Sequence, residues 1–258
     1  MLRAKQTGVG PMLGRGRNPT MRNLWPALLW LKVTSVAAAS PLAQPHGDQI
    51  FTYVQAEQLE YRAATDGFDT FSWDVRGWVG GDYNRLWFKT QGDDRIDGPV
   101  ENSEVQLRYS RLISPFWDLA VGARYDVEPD PSRAYGVFAL HGLAPYLYEV
   151  DADLFVSEEG DVSARLEVEY PILITQRLIL QPSFELDFAV QEVEELRVGP
   201  GLSQVELGVR LRYEITRELA PYVGFVWERK VGQTADLARA VGEEVDTPAF
   251  VAGMRFWF

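Results

Sequence analysis

Three consecutive runs between Asp161 and Glu214 alternate strictly, and that constrains the fold more than any other feature of the chain. In Asp161–Pro171, Val162, Ala164, Leu166, Val168 and Tyr170 are interleaved with Ser163, Arg165, Glu167 and Glu169. In Arg177–Val190, Leu178, Leu180, Phe184, Leu186 and Phe188 alternate with Gln181, Ser183, Glu185 and Asp187. In Leu202–Glu214, Val205, Leu207, Val209, Leu211 and Tyr213 alternate with Glu206, Gly208, Arg210, Arg212 and Glu214. A period of two places the apolar side chains on one face of a strand and the charges on the other. A soluble sheet would turn the apolar face to a core. An outer-membrane barrel would turn it to lipid and line its lumen with the charges.

The rest of the chain separates these solutions. Candidate strands fall at 50–62, 70–79, 84–91, 100–112, 116–127, 133–142, 146–156, 161–171, 177–190, 202–214, 219–229 and 247–258. Each is near the length that crosses a bilayer at a tilt. The connections 113–115, 143–145, 173–176 and 215–218 are short; 92–98, 128–132, 191–201 and 230–246 are longer and polar. Short and long alternate, as in a barrel with tight periplasmic turns and larger outer loops. Trp117, Tyr125, Tyr146, Tyr148, Tyr213, Tyr222 and Trp227 lie near connections, where aromatic girdles form. The last strand ends Met254-Arg255-Phe256-Trp257-Phe258, an alternating aromatic terminus of the kind that directs barrels to the outer membrane. The expectation is an all-β protein: a single transmembrane antiparallel β-barrel of about twelve strands over 50–258, in the outer membrane and in contact with its lipid.

Ahead of the barrel, residues 1–20 are basic, Gly-rich and without apolar period. From Met21 a short apolar run carries Ala37-Ala38-Ala39, the small residues that signal peptidase requires. Residues 1–40 therefore read as a leader and signal peptide cleaved near Ala39 or Ser40, and 41–49 as a periplasmic linker. An N-terminal anchor fits less well, because Pro26 and Lys32 interrupt the run.

Composition removes other classes. A formal net charge of -12 is the wrong sign for a nucleic-acid partner. With no cysteine there are no disulfides, thiolate metal sites or Cys nucleophiles. Only His46 and His141 could serve as catalytic bases of the imidazole type, and no nucleophile elbow accompanies them, so the chain reads as a non-enzyme.

In a barrel the charged faces converge. Asp74, Arg76, Arg85, Lys89, Arg108 and Arg124 come from the first half of the chain. Arg165, Glu167, Glu169, Glu185, Asp187, Arg210, Arg212, Glu228 and Arg255 come from the second. The simplest reading is an ion-pair network filling a narrow lumen, since buried charges must be paired. A carboxylate-lined lumen also attracts cations. The sharper expectation is a metal site. By parity with Arg133, Tyr135, Val137 and Ala139, His141 faces the lumen near the periplasmic rim, and His46 precedes the first strand. Glu149, Asp151 and Asp153 share one face of the neighbouring strand. Imidazole with carboxylate suits Cu(II), and thioether suits Cu(I).

Several motifs carry a family resemblance. They are Gly77-Trp78-Val79-Gly80-Gly81-Asp82-Tyr83-Asn84-Arg85-Leu86-Trp87, Gly142-Leu143-Ala144-Pro145-Tyr146, Thr175-Gln176-Arg177-Leu178-Ile179-Leu180-Gln181-Pro182, Leu211-Arg212-Tyr213-Glu214-Ile215, Ala220-Pro221-Tyr222, Trp227-Glu228-Arg229-Lys230 and Arg255-Phe256-Trp257-Phe258. Over 49–258 the chain resembles the copper resistance protein B family. The resemblance implies an outer-membrane barrel of Gram-negative bacteria that binds or passes copper and works with periplasmic copper-handling proteins. Many members carry a Met- and His-rich segment before the barrel. Here 41–49 offers only His46, and Met254 is the only methionine after Met21. Two alternatives stay open: a structural or passive barrel closed by ion pairs, and a soluble periplasmic sandwich.

Overall fold

The computed structural model describes residues 49–258 apart from 66, 97 and 99. The leader, the signal peptide and its cleavage near Ala39 or Ser40, nearly all of the 41–49 linker, and His46 lie outside the described residues.

One antiparallel sheet contains every strand: β1 (Phe51–Ala64), β2 (Thr70–Gly80), β3 (Asn84–Arg95), β4 (Val100–Ser114), β5 (Trp117–Glu128), β6 (Arg133–Ala144), β7 (Tyr148–Ser157), β8 (Val162–Glu169), β9 (Ile172–Leu173), β10 (Leu178–Ala189), β11 (Gly201–Tyr213), β12 (Leu219–Lys230) and β13 (Asp246–Trp257). Strands β8 and β9 both pair with β10, so they are one wall strand interrupted at Tyr170-Pro171. Pro171 has no N–H to give the ladder, which accounts for the break. Strand β13 returns to pair with β1, from Gln55↔Trp257 to Ala64↔Ala249. The result is a closed barrel of twelve wall strands with no free edge.

The apolar faces point outward. Leu107, Tyr109, Leu119, Phe138, Val223 and Phe250 are all exposed, and Phe250 is 66% accessible. In water so large an apolar belt would be a liability; in lipid it is the solvated face. The soluble sandwich is thereby overturned. Tyr125, Tyr146, Tyr148 and Tyr213 are exposed near strand ends, where an interfacial girdle belongs. Tyr222 departs from that expectation. It is 5% exposed and its hydroxyl donates to Glu60 Oε2 at 3.0 Å inside the barrel. It shares the parity of Glu228 on β12, and therefore the lumen face.

The turns 81–83, 115–116, 145–147, 174–177 and 214–218 lie at the end that carries Phe51 and Phe258. The opposite end holds 65–69, 96–99, 129–132, 158–161, 190–200 and 231–245. The expected contrast in length is carried mainly by the last two. The connection read as 92–98 shrinks to 96–99, because β3 continues through Gly92. That glycine is a strand residue by necessity. A Cβ there would meet the Asn102 carbonyl oxygen at 2.4 Å and the Trp73 ring at 2.5 Å. The connection read as 230–246 contains a helix, α1 (Gly232–Val241), closed by Gly242 at φ +78°. Its Thr234, Ala235 and Ala238 are buried, and Thr234 Oγ1 accepts from Gly199 N–H at 2.9 Å. By the rule for such barrels, the end that carries Phe51 and Phe258 is periplasmic and the end with α1 is external.

Candidate functional site in the barrel lumen

Alternation delivers the charges to the interior, and three arrangements result. The first is a dry ionic knot around Glu60, which is 0% exposed. Arg210 grips it with two hydrogen bonds, Nε to Oε2 and Nη2 to Oε1, each 2.9 Å. Arg62 Nε donates to Oε1 at 2.8 Å, and Arg62 Nη1 reaches Glu206 at 3.2 Å. Glu60 faces inward because β1 carries a bulge. Ala56 pairs with Val75 and Gln58 with Asp74, leaving Glu57 as the extra residue. Strict alternation through β1 would put Glu57 and Glu60 on opposite faces. The bulge brings both inside, and Glu57 meets Arg255 at 3.0 Å and Arg76 at 3.8 Å. The sequence signal was the lost alternation across Ala56-Glu57-Gln58-Leu59.

The second arrangement is apolar. Ala120, Tyr135, Val137, Ala139 and Phe155 form a buried cluster on the lumen faces of β5, β6 and β7. Arg124 covers it, 4.6 Å above the Phe155 ring and 5.1 Å above Tyr135. Arg124 also binds Glu104 at 2.8 Å and Asp126 at 2.6 Å, so its charge is compensated where it is desolvated.

The third holds the expected metal residues. His141 lies edge-on to Trp87, with ring centroids 5.3 Å apart. Its Nε2 stands 3.6 Å from Asp118 Oδ2 and has no hydrogen-bond partner among the described residues. Asp151 is its direct cross-strand partner. Asp118 was missed in the sequence, because only the β5–β6 register shows that it faces His141. Asp151 lies 3.6 Å from Arg76. Asp153 is committed to Arg108 through two hydrogen bonds, one of them 3.0 Å. Glu149 stands nearer the periplasmic end, opposite Leu143 and Glu169. The structure therefore joins His141 with Asp151 and Asp118. It separates Asp153 and Glu149 from them, and His46 is outside the described residues. Among the described residues, no group of three or more His, Cys, Asp or Glu side chains stands close enough to enclose a metal ion.

Twelve antiparallel wall strands, a lipid-facing apolar belt and an ion-filled lumen define an integral outer-membrane β-barrel. The NanC porin has the same kind of fold: it superposes with a TM-score of 0.51 over 80% of this chain and 99% of its own, at 12% identity. Residues 50–258 match the family model described as copper resistance protein B precursor. Copper resistance protein B of Escherichia coli is 43% identical over 213 residues, covering 83% of this chain and 71% of the relative. A homolog in Pseudomonas syringae pv. tomato is 42% identical over 215 residues, covering 83% and 72%. The chain belongs to the copper resistance protein B family, whose relatives place it in copper resistance at the outer membrane.

Proposed function

We propose that this barrel confers copper resistance by binding copper in its lumen or passing it across the outer membrane. Membership of the copper resistance protein B family supports the metal. The observation that carries the reading is the lumen itself, where His141 sits beside Asp118 and Asp151 with an unpartnered ring nitrogen. The role is not catalytic, in keeping with the family and the barrel. Copper is cargo here, and periplasmic copper-handling proteins would supply or receive it. The segment 1–40 acts as leader and signal peptide, and 41–49 as a linker that adds His46.

Copper titration of the purified barrel, with Cu(II) and Cu(I) followed separately by calorimetry, tests this reading. Binding weakened by His141→Ala, and further by adding His46→Ala, supports it. Binding at neither oxidation state, together with normal copper tolerance of a deletion strain, overturns it. A passive barrel closed by ion pairs is the second reading. It is favoured by Arg108 and Arg76, which already occupy two of the expected carboxylates.

A further inference from the structure

The β-ladder places one row of acidic groups in direct register around half of the barrel. Asp118 pairs with His141, His141 with Asp151, Asp151 with Glu167, Glu167 with Glu185, Glu185 with Glu206, and Glu206 with Glu228. Like charges directly opposite one another destabilise a sheet, so this row calls for counter-charge throughout. The row also climbs. Asp118 is the second residue of β5, beside the turn at the periplasmic end. Glu228 is two residues from the external end of β12. Neighbouring steps are one inter-strand spacing apart, about 5 Å. The strand tilt of a barrel turns such a row into a stair from one mouth to the other.

This stair is not dry. The Asp151 and Glu185 side chains remain 31% and 30% accessible, facing space inside the barrel, while Glu60 is sealed. Resident cations hold the steps loosely. Arg85 meets Asp118 at 3.3 Å, Arg76 meets Asp151 at 3.6 Å, and Lys89 meets Glu167 at 3.3 Å. Arg165 and Arg62 each lie 3.2 Å from Glu185 and Glu206 respectively. All are longer than the 2.9 Å contacts of the Glu60 knot. Glu228 has no ion pair among the described residues. A second observation stands beside the row: a buried carboxylate oxygen has no hydrogen-bond partner among the described residues. Asp74 is 9% exposed, and its Oδ1 has no hydrogen-bond partner. Its Oδ2 lies 3.7 Å from both Arg76 and Lys89, the cations that hold Asp151 and Glu167. An acceptor is thus left over on the facing wall, next to the cations that hold Asp151 and Glu167.

We propose that the row from Asp118 through His141, Asp151, Glu167, Glu185 and Glu206 to Glu228 is a track along which a hydrated divalent copper ion crosses the barrel, displacing the resident basic side chains in turn. The proposal rests on the copper reading above and specifies its route and oxidation state. Carboxylate oxygen and imidazole nitrogen suit Cu(II); Cu(I) calls for sulfur ligands, and the row has none. Each step offers a single carboxylate or, at His141, an imidazole, which lets an ion enter and leave again.

The test is Cu(II) entry into liposomes carrying the protein purified from outer membranes, read by an entrapped chelating dye. Glu185→Gln with Glu206→Gln is expected to slow entry by about tenfold or more, as a charge-lined path loses adjacent charges. Lys89→Gln, which frees Glu167, is expected to speed it, and Glu243→Gln, outside the lumen, to leave it unchanged. A purely structural row would give the same sign for the first two variants, and that result overturns the track. Heat-modifiable gel migration checks folding. If the double variant does not fold, Glu228→Gln at the unpaired step replaces it, with slower entry expected and unchanged entry overturning the proposal. Copper binding without entry in the unaltered protein overturns the track while leaving the copper reading intact. Neither binding nor entry overturns both. Cu(I), kept reduced, entering as fast as Cu(II) overturns the assigned oxidation state.

Discussion

A single residue shows how much the lumen depends on complete pairing. Glu60 accepts from Arg210, Arg62 and Tyr222 and is 0% exposed. Replacing it by Leu strips Arg210 of its carboxylate in a dry site and leaves Arg62 only Glu206, which costs about 3–5 kcal/mol. Glu60→Leu should therefore lower the denaturant midpoint of the refolded barrel sharply, while Glu60→Leu with Arg210→Leu should recover part of the loss; an unshifted midpoint for the single variant would mean the knot is wetter than it looks. Parity alone put His141, Arg210, Arg212 and Glu228 in the lumen correctly. It missed Glu60, because one extra residue at Glu57 reverses parity along β1. It missed Asp118 for a different reason. Facing His141 is a property of strand register, which one strand's pattern does not contain.

At the scale of elements, strand positions were legible because a period of two survives in nearly every strand. The exceptions have local causes. Pro171 breaks one strand into β8 and β9, and Gly92 sits within β3 to make room for Trp73. Helix α1 was hidden because its ten residues bury only Thr234, Ala235 and Ala238. Two predictions belong here. Leu107 is the central, outward residue of β4, and Leu107→Arg should cost about 2–4 kcal/mol in lipid, as charge at the bilayer midplane does; unfolding from bilayers measures it, and a cost near zero would remove that face from lipid. The loop holding α1 is tied down at Glu243, which accepts from Lys230 at 3.0 Å and from Arg197. Partial burial pushes its pKa up, but the Lys230 hydrogen bond and the charges of Lys230 and Arg197 outweigh that and hold it below the ordinary carboxylate value. A depressed pKa means the stabilisation is present above the unfolded value and is lost as pH falls through the folded one. Proteolytic nicking of 231–245 should therefore rise as pH drops below the ordinary carboxylate range, and Glu243→Gln should show the raised rate already at neutral pH.

For the whole molecule, the sequence carried the architecture and the compartment, because lipid outside and charge inside both write themselves into alternation. It did not carry a bound-metal geometry. Asp153 looked as available as Asp151 in the sequence, yet Arg108 takes it from three strands away along the chain. What emerges only in the closed barrel is where the acidic excess lies: β1 to β3 mix basic groups with Glu57, Glu60 and Asp74, while carboxylates outnumber bases from β7 to β12. Arg62, Arg76, Arg85 and Lys89 project from β1 to β3, and the row from Asp151 to Glu228 projects from β7 to β12. An ion inside meets a carboxylate wall whose counter-charges are tethered side chains, and small cations can replace them where anions cannot. The barrel should therefore be cation-selective in planar bilayers under a salt gradient, with a reversal potential of the cation-permeant sign. Glu185→Lys with Glu206→Lys turns two adjacent carboxylates into ammonium groups at mid-wall and should reverse that sign. Anion selectivity in the unaltered protein would show that the basic side chains govern passage, and would count against any cation, copper included, being driven through this lumen by its charge.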